Sequence, residues 1–356
     1  MIEQYEVFLE LTRLGIGHST SYIPHKVDWG FIQQQAIEQG LAAVVLDGIE
    51  HLPESMRPDQ LTRLNWIGDI LQNYEKRYTG YCRAIAELAG WYKVRGVKMM
   101  VLKGYACSIN WPKPEHRPCG DIDVWLFGKQ QYADECLLKD KGIKVDTSEH
   151  HHTVFNWGDF VAENHYDFLN VHQHRSSVAM EKILKELGTD DSCFVELNGE
   201  KVVLPSPNLH ALFLLRHAMT HFAAESINLR QLLDWGFFVE KHGKDVNWEW
   251  LKGILEDFGM TPLFQIFNAI CVGDLGFDVK IFPTVQFDPA LKDKVLKEIL
   301  NPEYSVELPK GFLRRILYKY RRWKANEWKY RLCFNDSIQM AFLSGVWNHL
   351  TKPKTI

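Results

Sequence analysis

Asp121 and Asp123 stand one residue apart in the run Gly120-Asp121-Ile122-Asp123-Val124-Trp125-Leu126. Side chains on a β-strand alternate between faces, so these two carboxylates would project from the same one. Paired hard oxygen ligands on a rigid strand suit Mg²⁺ (or Mn²⁺), which one or two carboxylates hold while substrate phosphates and water complete its shell. Upstream, Lys103 and Gly104 end an apolar run. A glycine turn there would let the backbone come close to phosphate, and Lys103 or Arg117 would offset its charge. Together these are the parts of a phosphoryl-transfer site. An acid-x-acid triplet by itself also fits an exposed strand edge, so the flanking residues must decide between the two readings.

Those flanks are Leu102-Lys103-Gly104-Tyr105, Trp111-Pro112 and Arg117-Pro118-Cys119, followed by the acidic run. In this order and spacing they resemble the uncharacterised bacterial nucleotidyltransferase-like family of the DNA polymerase beta nucleotidyltransferase superfamily. The resemblance implies an α+β fold: a polymerase-beta-like core of mixed sheet and helices, with a glycine-bearing turn after the first strand and two acids on the next. It also implies a third acid on a later strand, in the order apolar, acid, any residue, His, aromatic. Ala162-Glu163-Asn164-His165-Tyr166 supplies that pattern. A competing register, Leu169-Asn170-Val171-His172-Gln173, has an amide where the acid belongs. Glu163 is the preferred third ligand, with Asn170 as the alternative.

On this reading Asp121, Asp123 and Glu163 are the catalytic and metal-binding residues, and Lys103, Gly104, Ser108, Arg117 and Gly120 contact the nucleotide. One departure from the superfamily lies in the turn, where Gly-Ser or Gly-Gly-Ser is usual. Here Tyr105 follows Gly104, and Ser108 comes four residues after the glycine. The resemblance extends to Val27-Asp28-Trp29 and Gln35 to Leu41 near the start. Further on it takes in Leu209-His210, His217 to His221 and Leu229 to Asp234.

The elements that must position these residues follow from hydrophobic period and punctuation. Residues 2 to 97 read as helices broken at Gly15-Ile16-Gly17, Pro24 and Pro53, with a long helical region from Leu61 to Val94. A short buried strand from Val97 to Leu102 follows, then a helix over Tyr105 to Asn110, the acidic strand, and a helix from Lys129 to Lys141 closed by Gly142. Two strands flank Gly158-Asp159, and Cys193 to Leu204 reads as a hairpin turned at Asn198-Gly199. Ser206-Pro207 starts the first of several helices, with a hydroxyl at the cap and a proline in the first turn. The chain accordingly divides into an N-terminal helical region (1–96), an α/β core with its trailing hairpin (97–204) and a C-terminal helical domain (205–356).

Composition bounds the classes. At 356 residues and 46% apolar content the chain can bury a sizeable core. Its formal charge of −4 gives no global attraction to nucleic acid. Locally, Lys310 to Arg331 carries nine Lys or Arg against one acid, a net +8, which leaves −12 for the rest. That segment interleaves aromatic and basic residues. It is expected to pack its aromatics, with Trp323 and Trp328 at least partly buried, and to solvate its charges, so no nucleic acid is obligatory. The seven cysteines include no C-x-x-C pair, which fits a reducing cytoplasm. No apolar run reaches the length of a membrane span.

Histidines crowd the middle of the chain at His150, His151, His152, His165, His172 and His174. Imidazole is a common transition-metal ligand, but the spacing offers no thiolate and no complete four-ligand set. His165 is expected beside the Mg²⁺ site. His217 and His221 share one helix face, as do Arg230 and Asp234 on the next helix. These faces either hydrogen-bond between helices or close the cleft over substrate. The expected function is metal-dependent transfer of a nucleoside monophosphate from a nucleoside triphosphate to an acceptor, which is a small molecule, a protein or RNA. The alternative is a non-catalytic nucleotide-binding or interaction protein that keeps the fold.

Overall fold

Around Val97 the chain leaves helical period. Gly96 and Val97 donate their backbone N–H groups to the Lys93 and Tyr92 carbonyls, so the first part of the expected strand finishes a helix. The strand that remains, β1 (Met100–Val101), has two residues. It is followed by β2 (Ile122–Trp125), β3 (His152–Trp157), β4 (Phe160–His165), β5 (Phe194–Leu197) and β6 (Glu200–Val203). In this computed structural model, which describes residues 2–19, 26–149, 151–172, 175–283, 286–304, 309–337 and 339, they form one mixed sheet in the order β3-β4-β2-β1-β6-β5. Pro24, His150, Gln173 and His174 lie outside the described residues.

β2 runs parallel to β4 and antiparallel to β1, while β3–β4 and β5–β6 are antiparallel hairpins. The second hairpin turns on Asn198 and Gly199, with φ of 49° and 83°. Two consecutive positive φ values are what a two-residue turn needs, and Asn-Gly tolerates them.

Helices flank this sheet. The N-terminal set is α1 (Ile2–Gly15), α2 (Trp29–Glu38), α3 (Ala42–Glu50), α4 (Gln60–Ile70) and α5 (Lys76–Lys93), the last two joined by a π-helical turn over Leu71–Glu75. Within the sheet unit lie α6 (Tyr105–Ser108), α7 (Gln130–Lys141) and α8 (Arg175–Leu187). The C-terminal set is α9 (Pro207–Ala224), α10 (Leu229–His242), α11 (Trp248–Asp257), α12 (Thr261–Gly273), α13 (Pro289–Leu300), α14 (Phe312–Ala325) and α15 (Glu327–Cys333). Ser206 caps α9 by position, but its hydroxyl makes no capping hydrogen bond.

Strand alternation divides the core in two. Val101, Ile122, Val124, Phe155, Ala162 and Val202 pack with α5 and α7 on one face. Met100, Leu102, Trp125 and Val203 pack on the other with the C-terminal helices and α1 to α4. Asp123 has the parity of Trp125, and Glu163 and His165 have the parity opposite to Ala162. The acids therefore project toward α9 and α10. From the opposite face Asn164 anchors β4: it accepts from Tyr92 Oη at 2.8 Å and donates to Asp134 at 2.6 Å.

The basic segment is part of the C-terminal packing. Trp323 and Trp328 are half-buried, and Trp328 meets Phe222 edge-on at 5.9 Å. Lys329 is buried, bonded to Glu298 at 2.5 Å and to the Glu225 carbonyl at 2.7 Å.

Candidate functional site

Parallel pairing of β2 with β4 puts Asp123 directly opposite Glu163, and Trp125 opposite His165. His165 closes the group: its Nε2 lies 3.2 Å from Asp123 Oδ1 and 3.3 Å from Glu163 Oε2. Ligand atoms of Asp123, Glu163 and His165 all fall within 4.8 Å of one another. Lys103 brings a cation to the same oxygen, with Nζ 2.9 Å from Asp123 Oδ1. Burial alone would raise the Asp123 carboxyl, but Lys103 and His165 hold it well below the usual carboxylate range. Burial likewise works against charge on Lys103 and His165, and their carboxylate neighbours reverse it, so both lie above their ordinary values.

Asp121 precedes β2 by one residue and sits outside that tight group, at its exposed edge. Partial burial, then the Glu163 and Asp123 carboxylates, push its carboxyl up. Its backbone is fixed by Tyr81, which donates from Oη to the Asp121 carbonyl at 2.8 Å. Tyr81 also explains the glycine at 104. Gly104 has φ +61°, and a Cβ there would stand 2.3 Å from Tyr81 Oη. Tyr81 carried no signal in the sequence, because its role depends on α5 lying across the sheet.

The cations divide into committed and uncommitted groups. Arg117 is fully engaged by Asp234, with Nε 2.7 Å and Nη2 2.9 Å from the two carboxylate oxygens. Trp111 Nε1 adds a third bond to Asp234 at 2.9 Å. Asp234 thus pairs with Arg117, rather than with its helix neighbour Arg230. Arg230 keeps a buried Nε with no hydrogen-bond partner.

A cavity of about 180 Å³ runs between the sheet and α9–α10, lined by Lys103, Gly104, Asp121, Asp123, His217 and Arg230 among others. Gly120 and Arg117 also reach it. Burial, reinforced by Lys103, keeps the His217 imidazole well below its ordinary value and so neutral. A larger depression of about 430 Å³ on α11 is open and has no such convergence of charge.

Two sequence candidates fall away from this cavity. The Ser108 hydroxyl donates to the Tyr105 carbonyl at 2.9 Å and meets Tyr78 Oη at 3.1 Å. Asn170 accepts from the His172 backbone N–H at 3.0 Å in a local turn. The loop carrying Arg117 to Gly120 is stapled to the N-terminal helices through His116, whose Nδ1 lies 2.6 Å from Asp47 Oδ2.

Residues 25–272 match a family described as uncharacterised nucleotidyltransferase. The chain belongs to that family. Nucleotidyltransferases generally use divalent metals, and the donor set of Asp123, Glu163 and His165, with Asp121 at its edge, fits such an ion. No curated protein matches the chain. One matching solved structure is that of an antigenic nucleotidyltransferase-like protein from Paracoccidioides brasiliensis. It is 15% identical over 45% of this chain and 75% of that one, with a TM-score of 0.33. Among the described residues of this nucleotidyltransferase no helix is long and apolar enough to cross a membrane.

Proposed function

We propose that the chain transfers a nucleoside monophosphate from a nucleoside triphosphate to an acceptor, using the cavity between the sheet and α9–α10. The observation that carries this reading is the meeting of Asp123 and Glu163 across β2 and β4, beside Lys103, with Arg230 lining the same cavity as Asp123 and Lys103. The cavity, at about 180 Å³, is smaller than the roughly 300–1,000 Å³ of pockets that engulf whole ligands. A cavity of that size would admit phosphate groups, with the nucleoside lying outside it.

Asp121, Asp123 and Glu163 would hold the divalent cation, Mg²⁺ or Mn²⁺, with His165 adjoining. When bound, that cation neutralises charge on the transferring phosphate and its leaving group. Lys103 is poised to move from Asp123 to phosphate oxygen once the carboxylate has another cation. Arg230, which lines the same cavity, would offer guanidinium N–H donors to phosphate oxygens. Gly104 and Gly120 allow the backbone to approach the chain of phosphates. An acceptor oxygen or nitrogen forms its bond to the α-phosphorus while the bond from that phosphorus to the α–β bridging oxygen breaks. Pyrophosphate leaves with the electron pair, and the acceptor proton passes to Glu163. Arg117 acts indirectly, by keeping Asp234 and the α10 face in place.

Residues 97–204 then form the catalytic core, with 1–96 and 205–356 as its helical flanks. Seven free thiols suit a reducing cytoplasm. Engagement of Ser108 within α6 favours a second reading, in which nucleotide binds without turnover. Incubation with α-labelled and γ-labelled triphosphates, a divalent metal and cell extract separates the two. Transfer of α label with release of pyrophosphate, lost in Asp123→Asn, is expected. Transfer of γ label, or turnover unchanged in Asp123→Asn, would sink the proposal.

A further inference from the structure

The histidines that lacked a ligand pattern along the chain converge in space. Antiparallel pairing of β3 with β4 sets His152 directly opposite His165, and their ring centroids lie 5.1 Å apart. His151 is drawn in beside them because its carbonyl accepts the backbone N–H groups of Tyr166 and Asp167, at 3.0 and 3.1 Å. Its ring lies 4.3 Å from that of His152 and 5.5 Å from that of His165. One ligand nitrogen from each of the three falls within 4.8 Å of the others.

Two further observations point to a ligand. Among the described residues, His151 Nδ1 and His152 Nδ1 are both buried without a hydrogen-bond partner. Buried polar atoms are nearly always paired, and leaving one unpaired is destabilising. Two orphans in adjacent imidazoles call for something that accepts lone pairs. His165 Nδ1 also lies 3.3 Å from the Asp167 carbonyl. Donation to a backbone carbonyl fixes the tautomer of a metal-binding histidine, which makes Nε2, the nitrogen facing the Asp123 and Glu163 carboxylates, the ligand atom of His165.

We propose that His151, His152 and His165 bind a borderline-soft divalent transition ion of the Zn²⁺ type, at a position adjoining the Mg²⁺ position of the acids, with His165 given to the imidazole site and the carboxylates to the other. Imidazole donors select such ions, whereas carboxylate oxygens suit Mg²⁺. Glu163 stands between the two positions, with Oε1 3.6 Å from His152 Nε2 and Oε2 3.3 Å from His165 Nε2. The ion would lock the start of β3 to the end of β4 and so fix the Glu163 carboxylate.

The test strips the full chain with chelator and titrates it with Co²⁺ and Zn²⁺ in excess Mg²⁺. One equivalent of Co²⁺ is expected to bind with visible absorption bands. Binding should weaken more than about a hundredfold in His151→Ala/His152→Ala, beyond the ten- to hundredfold loss typical of an outer-shell partner. Asp121→Asn should leave Co²⁺ binding intact while abolishing nucleotide turnover, so the two proposals fail separately. Equal Co²⁺ affinity in wild type and double variant, or no binding in excess Mg²⁺, overturns the inference. If the double variant does not fold, the wild-type melting temperature decides: Zn²⁺ must raise it beyond Mg²⁺ alone, and no rise overturns the site.

Discussion

The Asp234 carboxylate takes two prongs of the Arg117 guanidinium across 117 residues of sequence, at 2.7 and 2.9 Å, with both side chains about 6% exposed. Removing one partner leaves the other charge buried and unpaired, which costs about 3–5 kcal/mol. Asp234→Ala and Arg117→Ala should each lower stability by about that much in urea unfolding. A loss below about 1 kcal/mol in either would show that the pair does not hold α10 to the Arg117 loop.

The two aspartates should differ. Asp121 is repelled by its neighbours, whereas Asp123 is held by Lys103 and His165. Both Asp→Asn variants should lose nucleotide turnover on the order of 10²–10³-fold or more. Relief of carboxylate repulsion should leave the fold intact in Asp121→Asn. Asp123→Asn strands Lys103 and should lower the melting temperature. Equal melting temperatures would contradict this division.

Among the described residues the buried Arg230 Nε has no hydrogen-bond partner to lose. Arg230→Ala should leave stability unchanged or slightly raised, and raise KM for the triphosphate by about ten- to a hundredfold, the scale of a charge-assisted hydrogen bond. Arg230→Lys should recover part of the loss, since it keeps the charge without the fork. Unaltered KM in Arg230→Ala would remove this residue from the phosphate site.

Gly104→Ala adds a Cβ 2.3 Å from Tyr81 Oη at a residue with φ +61°. Backbone strain and collision together should cost more than about 1 kcal/mol. Tyr81→Phe removes the colliding oxygen, so Gly104→Ala/Tyr81→Phe should be less damaged than the sum of the two single variants. Simple additivity in a double-mutant cycle would place the strain elsewhere.

Burial would lower the His116 imidazole, but bonding to Asp47 and Glu75 raises it above its ordinary value. A pKa raised on folding stabilises fully below the unfolded value of about 6.5 and is lost as pH rises through the folded value. The melting temperature should therefore fall across that window. Melts of His116→Gln over the same pH range should show a shallower fall, and an identical slope would exclude His116 as its source.

Local rules reach far into this protein. Period two predicted Asp121 and Asp123 on one strand face, though β2 begins only at Ile122, and Asn198-Gly199 marked a hairpin, because alternation and φ preference act between neighbours in the chain. The helix ending at Gly142, whose φ is 66°, was legible for the same reason. The strand expected over Val97 to Leu102 was shortened because Val97 is captured by α5, a contact outside any strand pattern. Family resemblance, rather than spacing, preferred Glu163 over Asn170, and the pairing of β2 with β4 then set Glu163 opposite Asp123. What sequence could not assign were partners joined through space. Helix spacing coupled Arg230 to Asp234, yet Asp234 binds Arg117, and Arg230 is left for the cavity. The three histidines form no motif along the chain, and sheet register gathers them. Charge and hydrogen bonding are settled by which groups tertiary packing brings within a few ångströms, and sequence separation carries almost none of that information.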